Sequence, residues 1–523
     1  MSIEHLHKQA DIPQTLKEKY VSNLMYLIWS SRQDLQVAFD LRTVEGQQGL
    51  IQWYEVSVFR EYGIMPHTNG KNPDAAFNGG AAKKSPQIQL RNWMKRLEVA
   101  LVPIGKRMPA PIRETGKTLW CNTFTLLARS AEHIRSHALS NRQTQSKIQT
   151  DGVIDGRPGA NLIGYANAEL GMGEHVRMSA AAFETTDIKF GVLNFDVGVA
   201  SRKQASIDQR QLITGNAYRV NIFHINADQM LNAYCHLGQS FFVNRYNIGY
   251  WAWELQKCPD AWRPAIEMVD EVWAPSRFIQ SSFAEKTSKP VEYMPLCVTI
   301  PPFNQRQRTD FGLPENQFLF LFAFDFLSYI ERKNPFAAIR AFQSAFPDRS
   351  TPVGLVIKIM NGDKKTPQWI KMMDTIGDDT RVHVINQTMS RDDVLALINS
   401  CNSFLSLHRS EGFGRGPAEA MLLGKPVIVT NYSGNTDFTR PENSCLVDYR
   451  LIPVEAGQYL FEEGQVWADV DIEHAAWYMR RLFEDTNFAT EIALRGQEFI
   501  RANFNPSVIG RIYAKRLEVL RMA

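Results

Sequence analysis

The sequence predicts an α/β protein in which two doubly wound parallel sheets follow one another behind a mainly helical segment. Three observations support this fold class. From about residue 155, short apolar runs alternate with helical patterns, which is typical of a parallel sheet covered on both faces. A second series of the same kind begins at Phe318. The Pro-rich, polar stretch Leu296–Phe311 separates the two series, so we expect the functional site in a cleft between two units.

The segment in front of the sheets covers residues 1–150. Apolar residues recur at helical spacing in Leu16–Trp29, Leu50–Phe59 and Gln87–Val102, and only Val37–Leu41 is strand-like. We therefore predict a mainly helical N-terminal extension, followed by the polar linker Ser140–Gly159. Two interpretations of its role remain open: it shapes one side of the cleft or binds a partner, or it is a helical cap that stabilises the fold.

The first unit is predicted over residues 151–300. A helix is expected at Gly173–Glu184. The predicted strands are Asn161–Tyr165, Ile188–Leu193, Val220–Ile225, Asn247–Trp251 and Val272–Ala274.

The second unit is predicted over residues 301–485, and residues 486–523 are expected to form C-terminal helices. The predicted strands of this unit are 318–324, 353–360, 382–385, Asn402–Leu407 and Val427–Thr430. The predicted helices are Asn334–Phe346, Pro367–Ile376, Ile472–Phe483, Ala489–Ala502 and Ile509–Leu520. The triplet from Asp469 to Asp471 matches a D-x-D metal motif formally, but its place before a helix favours capping, and no metal site is predicted.

Composition favours a large soluble globular protein. The 523 residues are 44% hydrophobic and 22% charged, and a net charge of +3 is too small to indicate nucleic-acid binding. The six cysteines form no C-x-x-C pair, which favours reduced thiols in a cytosol. Neither a signal peptide nor a run of membrane-spanning length occurs, so we expect a cytoplasmic protein. The chain also lacks the H-E-x-x-H, Walker A and G-x-S-x-G motifs, which excludes metalloprotease, P-loop and α/β-hydrolase readings.

The most informative segment runs from Ser406 to Asp437, SLHRSEGFGRGPAEAMLLGKPVIVTNYSGNTD. It reads as strand, Gly-rich loop, helix and strand, so the loop opens at the carboxyl end of a parallel sheet, where such sheets bind ligands. The glycines let backbone amides approach a ligand, and the helix start presents unpaired N–H groups to phosphate. Glu411 lies in the loop, and Glu419 is expected in the first helical turn. The simpler alternative is that Glu419 complements the helix dipole and that the glycines turn the chain.

The combination Glu-Gly-Phe-Gly, Pro-x-Glu-Ala-Met and Gly-Lys-Pro-Val resembles the E-x7-E donor site of retaining GT-B glycosyltransferases, most closely glycosyltransferase family 4. The likeness covers about residues 155–520. It implies two Rossmann-like domains facing across a cleft and a metal-independent transfer that retains anomeric configuration. It further implies that Glu419 holds the donor ribose and that Glu411 contacts the transferred sugar. The backbone of Gly412, Phe413, Gly414 and Arg415 would cradle sugar and phosphate.

Two further loops carry donor-binding candidates. Gly171 and Gly173 lie between a strand and a helix, where a Gly-rich loop can approach a diphosphate. The spacing is not a dinucleotide fingerprint, and a simple tight turn is the alternative. Arg332 and Lys333 precede a helix, and family 4 often has an arginine and a lysine there against the leaving pyrophosphate. Lys333 matches the lysine, whereas Asp325 stands where the arginine is expected, so Arg332 would substitute for it; an exposed basic pair is the alternative. Lys358, in an otherwise apolar strand, is a further candidate, because burying an unpaired ammonium is costly.

Catalytic candidates on the first unit are His224 and Glu254, each of which ends an apolar run. Family members commonly present a histidine from this lobe near the reacting carbon. The best-matching region here, Tyr250–Glu254, contains none. A buried core histidine is therefore the alternative for His224.

The sequence thus predicts a hexosyltransferase that uses a nucleotide diphosphate sugar and needs no cofactor. The acceptor is a saccharide or a lipid-linked saccharide, and a lipid-linked acceptor would bring peripheral contact with the inner face of the cell membrane. The pattern RQDLQVAFD with GLIQWYEVSVFREYG resembles an extension on some bacterial surface-polysaccharide glycosyltransferases, which implies a role in polysaccharide biosynthesis. The alternatives are a phosphorylase or nucleotide-sugar epimerase of the same fold, and a non-catalytic sugar-binding scaffold.

Overall fold

A computed structural model describes Met25 and residues 38–62, 156–197 and 207–522. Within the predicted extension it contains helix α1, Val44–Tyr62, which overlaps the expected helix Leu50–Phe59. The expected helix Gln87–Val102, most of Leu16–Trp29 and most of the linker lie outside the described residues. The expected strand Val37–Leu41 is wrong over residues 38–41, which form no strand. The amide of Arg42 bonds to Asp40 Oδ1 at 3.0 Å, so this segment turns into α1 instead.

The strands of the first sheet are β1 Arg157–Gly164, β2 Phe190–Asn194, β3 Tyr218–His224, β4 Tyr246–Tyr250, β5 Glu271–Ala274 and β6 Val291–Tyr293. All six are parallel, and their order in the sheet is β2-β1-β3-β4-β5-β6. Its helices are α2 Gly171–Phe183, α3 Met230–Leu237, α4 Gln239–Phe242, α5 Arg263–Glu267 and α6 Arg277–Ala284, with 3-10 turns at Gln209–Gln211, Ala227–Gln229 and Asp260–Trp262. We call this unit the first lobe.

The strands of the second sheet are β7 Phe318–Asp325, β8 Val353–Met360, β9 Val382–Asn386, β10 Ser403–Ser406, β11 Val427–Thr430 and β12 Cys445–Val447. All six are again parallel, and their order in the sheet is β12-β11-β10-β7-β8-β9. Its helices are α7 Ile330–Lys333, α8 Pro335–Ala345, α9 Pro367–Ile376, α10 Arg391–Ser400 and α11 Arg415–Leu422, with 3-10 turns at Arg308–Phe311, Phe326–Ser328 and Ser433–Asp437. This unit is the second lobe, and the prediction of two successive doubly wound sheets is confirmed.

The chain continues with an antiparallel hairpin that the sequence analysis did not assign. Strands β13 Tyr449–Pro453 and β14 Val466–Val470 pair with each other outside the two sheets. Asp471 then caps the next helix by accepting a hydrogen bond from the amide of His474 at 3.0 Å. Asp469 pairs with Arg450 at 3.1 Å. The closing helices are α12 Ile472–Glu484, α13 Thr486–Asn503 and α14 Pro506–Val519.

The last helix, α14, lies against the first lobe. The Tyr513 hydroxyl donates to Pro295 O at 2.8 Å, and it lies 2.9 Å from the Tyr250 hydroxyl. Arg516 makes a bidentate pair with Glu271, with distances of 2.9 and 2.6 Å. Glu271 is fully buried, and Arg516 is its cationic partner.

Replacing Arg516 with Ala is expected to lower the free energy of unfolding by about 3 kcal/mol, because it leaves the buried Glu271 carboxylate without its cation. Denaturant titration measures the change. Arg495→Ala is the matched control, since its pair with Glu491 is solvent-exposed and should contribute only about 0.3 kcal/mol. Equal effects of the two substitutions would contradict the conclusion that the Arg516–Glu271 pair holds α14 against the first lobe.

Among the described residues, no helix is long and apolar enough to cross a membrane.

Candidate active site

Loops at the carboxyl ends of both sheets meet between the lobes. The Ser276 hydroxyl, after β5, donates to Gly412 O at 2.6 Å, and the amide of Arg277 donates to Asp437 Oδ2 at 2.9 Å. The hydroxyl of Ser410, after β10, donates to Glu254 O, after β4. This is the edge at which open α/β sheets bind ligands.

The glycines of the second-lobe loop meet specific backbone demands. Gly414 has φ +92°, in the left-handed region, and directly precedes α11. A Cβ at Gly412 would come within 2.8 Å of Trp253 O, so this glycine admits the backbone of the first lobe. The Phe413 side chain is buried, with its ring centroid 5.4 Å from that of Phe438. Of the four cradle residues, Phe413 therefore offers a ligand its backbone and not its ring.

Glu411 is the centre of a buried charge cluster. Its carboxylate pairs with Lys333, and its Oε2 lies 3.2 Å from Arg332. The Glu411 amide donates to Ser433 Oγ at 2.8 Å, which fixes the backbone at the loop. Burial by itself would raise the pKa of Glu411, but Lys333 and Arg332 hold that pKa well below its ordinary value. The carboxylate is therefore ionised throughout the neutral range.

The cations of this cluster are brought to Glu411 by two loops that bond to each other. Arg332 donates to Ser410 O at 3.0 Å, and the Arg409 amide donates to Arg332 O at 2.8 Å. Asn334, at φ +59°, caps α8 and donates to Leu407 O at 3.1 Å. Burial lowers the pKa of Lys333, and the Glu411 carboxylate opposes that shift. The predicted Arg332, Lys333 and Glu411 thus lie together.

His408, which the sequence analysis did not single out, lies buried close to the same cluster. Burial lowers the pKa of His408 to about 4, so its imidazole is neutral at physiological pH. The histidine directly follows the apolar run of β10, and no spacing in the sequence distinguishes it from an ordinary core residue.

Glu419 lies in the second turn of α11, because the helix begins at Arg415; the expected position in the first turn is wrong. The alternative that Glu419 complements the dipole of the first turn therefore fails as well. Its side chain is 3% exposed and is held by Arg391, whose Nη1 and Nη2 donate to Oε2 and Oε1 at 2.8 and 2.6 Å. Burial opposes the charge of Arg391, but Glu419 raises the Arg391 pKa above its ordinary value. Arg391 begins α10 and was not identified from the sequence.

Arg415 extends from the start of α11 towards both lobes. Its guanidinium lies 3.7 Å from Glu419 Oε1 and 3.8 Å from Oε2 of Glu174 on the first lobe. Glu174 also pairs with Arg177 at 2.8 Å. Burial favours neutral Glu174, yet Arg415 and Arg177 lower its pKa to about 2. Arg415 therefore links the Glu419 carboxylate to Glu174 of the first lobe.

The two first-lobe glycines have different surroundings. A Cβ at Gly173 would lie 2.2 Å from Ala168 O and 2.8 Å from Tyr165 O, so only glycine fits this helix start. Gly171 is exposed, and a Cβ there would meet nothing within 4 Å. Tight packing explains Gly173, whereas no packing constraint explains Gly171.

His224 and Lys358 are both buried within strands, on the first and the second sheet respectively. His224 is fully buried, and its Nδ1 lies 2.8 Å from Nδ1 of His175, so one ring donates and the other accepts. Burial, followed by the neighbouring His175, lowers the pKa of His224 well below its ordinary value. Lys358 is 7% exposed on β8, which β7 separates from β10. The surroundings of His224 are those of a buried core histidine, which was the alternative for this residue.

Glu254 is half-buried and does reach the interlobe site. Its Oε2 accepts a hydrogen bond from the Tyr459 hydroxyl at 2.7 Å. Its carbonyl oxygen accepts from the hydroxyl of Ser410, the residue that directly precedes Glu411. Tyr459 comes from the segment between β13 and β14, which the sequence analysis left unassigned. Glu254 thus comes from the first lobe to the loop that carries Glu411.

Residues 303–498 match the model of the family Glycosyl transferases group 1, and this range contains the whole second sheet and the hairpin. No curated protein sequence matches the chain.

Two solved structures share the fold. Alr3699/HepE of Anabaena, in complex with UDP and glucose, has 16% identity over 69% of this chain and 100% of its own, with a TM-score of 0.50. Sucrose-phosphate synthase (tll1590) from Thermosynechococcus elongatus has 15% identity over 70% of this chain and 99% of its own, also with a TM-score of 0.50. The two six-stranded parallel sheets therefore have the GT-B architecture that the sequence resemblance implied.

Proposed function

We propose that the protein is a retaining glycosyltransferase of family 4 type that moves a hexose from a nucleotide diphosphate sugar to a saccharide or lipid-linked acceptor. The observation that carries this proposal is the buried cluster of Glu411, Lys333 and Arg332 beside the start of α11. Two cations and a carboxylate held together at the carboxyl edge of a parallel sheet match the needs of a negatively charged leaving group and a polyhydroxyl sugar.

In this mechanism Lys333 and Arg332 stabilise the diphosphate on which negative charge grows as the glycosidic bond breaks. Both cations are already desolvated and fixed by their bonds to Glu411 and Ser410, so little reorganisation is needed during the reaction. The backbone amides at the start of α11 add donors and a positive dipole end. These groups supply the charge compensation without a metal ion or a cofactor.

Glu419 holds the donor ribose in this proposal. Arg391 engages both carboxylate oxygens, and each oxygen retains a second lone pair that a ribose hydroxyl can use. The ion pair therefore orients the carboxylate before the nucleotide binds. Glu411 contacts the transferred sugar, and Glu254 approaches from the first lobe.

The proposed setting is cell-surface polysaccharide biosynthesis on the cytoplasmic side, where a lipid-linked acceptor would bring the protein to the membrane surface. The resemblance of the N-terminal extension supports this setting, and the small positive charge of +3 permits weak attraction to anionic lipid.

The experiment starts with a thermal-shift screen of UDP, GDP, ADP and their sugar conjugates, because a ligand that binds only the folded state raises its stability. Alr3699/HepE was solved with UDP, so UDP-sugars are tested first. Product analysis with radiolabelled donor, with and without inorganic phosphate, separates transfer from phosphorolysis and epimerisation. NMR of the product reads its anomeric configuration, and an inverted product would overturn the retaining assignment. If none of these nucleotides or conjugates binds, the non-catalytic scaffold gains support instead.

Replacing Lys333 with Ala is expected to weaken UDP binding about tenfold, because one charge-assisted contact to diphosphate is lost. Calorimetry measures the dissociation constant. Lys365→Ala, an exposed lysine on the same lobe, serves as the control and should leave it unchanged. Unchanged affinity in Lys333→Ala would remove this residue from the diphosphate site.

A further inference from the structure

The segment Val454–Gln465, which we call the strap, belongs to the second lobe by sequence but is fastened to the first. Gln465 Oε1 accepts from the amide of Lys257 at 3.0 Å, and Gln465 Nε2 donates to Lys257 O at 2.7 Å. Lys257 Nζ also donates to Gly464 O at 3.0 Å. The Gln465 side chain thus both accepts from and donates to the main chain of Lys257. These bonds fix the position of the strap across the boundary between the lobes.

Tyr459, within the strap, contacts groups from both lobes. Its hydroxyl donates to Oε2 of the first-lobe Glu254 at 2.7 Å. Its ring centroid lies 5.8 Å from the Arg332 guanidinium and 4.7 Å from the ring of Tyr329. The side chain is buried, and burial, followed by the Glu254 carboxylate, raises the pKa of Tyr459 well above its ordinary value. The hydroxyl therefore remains a donor at physiological pH.

The Glu254 carboxylate needs such a partner to stay directed at the cleft. Arg332 lies close enough to contribute electrostatically, and its buried Nε has no hydrogen-bond partner among the described residues. A carboxylate without a partner of its own would be drawn towards that cation. The bond from Tyr459 holds Oε2, whereas Oε1 accepts no hydrogen bond from the described part of the chain. One oxygen of Glu254 is fixed and the other is available as an acceptor.

We propose that Tyr459 is a positioning residue that holds Glu254 so that Oε1 accepts a hydrogen bond from a hydroxyl group of the saccharide acceptor. This inference rests on the proposed function, and it assigns the strap to the acceptor side of the cleft. The Arg332 guanidinium lies over the ring of the same tyrosine. The strap therefore also contacts one of the two cations that we assign to the leaving group.

The test compares Tyr459→Phe with Tyr246→Phe. Tyr246 also donates its hydroxyl to a carboxylate, Glu271 Oε2, at 3.0 Å, but both residues begin their strands, at the opposite end of the sheet. Each substitution therefore removes one Tyr–Glu hydrogen bond and keeps the ring. With the UDP-sugar found in the screen and a panel of methyl glycosides, Tyr459→Phe should raise the acceptor KM about tenfold and leave kcat and UDP affinity within about twofold. Tyr246→Phe should change none of these.

Hydrogen exchange of the ligand-free protein gives a readout that needs no substrate. Exchange in residues 251–258 and 454–465 should quicken in Tyr459→Phe and stay unchanged in Tyr246→Phe. Unchanged exchange and an unchanged acceptor KM in Tyr459→Phe would overturn the positioning role even if the enzyme transfers sugar. Faster exchange together with wild-type protein that binds no nucleotide would overturn the proposed function, and the acceptor role with it.

Discussion

Glu411→Gln is expected to lower turnover about a thousandfold and to destabilise the fold by about 3 kcal/mol. The amide cannot neutralise Arg332, which is buried with a side chain 6% exposed, or Lys333, which is partly buried with a side chain 21% exposed. It also replaces the carboxylate that we propose accepts from sugar hydroxyls by a weaker acceptor. Steady-state kinetics with the donor from the screen and denaturant titration measure the two effects.

Asp379→Asn controls for the loss of a buried ion pair. Asp379 and Arg381 pair at 2.8 Å, with side chains 4% and 6% exposed, next to β9 and away from the interlobe loops. This variant should lose comparable stability and keep its turnover. If Glu411→Gln loses stability but keeps full turnover, Glu411 is a structural ion-pair partner and not a sugar-binding group.

The pH dependence of stability provides a second check on Glu411. Its pKa is lower in the folded than in the unfolded state, so its contribution is fully present above the unfolded pKa of about 4.3 and is lost as the pH falls below it. The difference in unfolding free energy between wild type and Glu411→Gln should be constant from about pH 8 to pH 5 and shrink below about pH 4.3. A difference that grows on acidification would contradict the assigned pairing.

Glu419→Ala is expected to weaken UDP binding at least a hundredfold, because the two charge-assisted bonds that we propose it makes to ribose are lost together. The substitution also leaves Arg391 without the carboxylate that engages both of its terminal nitrogens. Calorimetric titration with UDP measures the loss of affinity, and denaturant titration measures the loss of stability.

A double substitution separates the two consequences. Arg391→Ala alone should destabilise the fold by about 3 kcal/mol, since Glu419 is 3% exposed and would be left without this cation. Adding Glu419→Ala removes that unpaired charge, so the double variant should recover stability without recovering UDP affinity. UDP binding that returns with stability, or that never falls in Glu419→Ala, would refute the ribose assignment.

The sequence was sufficient for the sheets because each strand pattern is local. The run Val353–Met360 and the helix Pro367–Ile376 were predicted with the bounds that the structure has. The hairpin β13–β14 was missed because its first strand is mostly exposed and lacks an apolar run. Glu419 was expected in the first helical turn, but the helix begins at Arg415, four positions before it, so Glu419 lies in the second turn.

The sequence by itself predicted two successive doubly wound sheets from the periodicity of their strands, and its family resemblance implied that Glu411, Lys333 and Arg332 belong to one donor site. Only the tertiary structure decided which partners complete the site. Arg391 meets Glu419 from 28 positions away, and Tyr459 meets Glu254 across 205 positions. The first pair joins two helices of the second lobe and the second pair joins loops of different lobes, and a contact of either kind leaves no periodic signal in the chain. The same packing placed His224 against His175 in the core of the first lobe, which a lone histidine after a strand could not reveal.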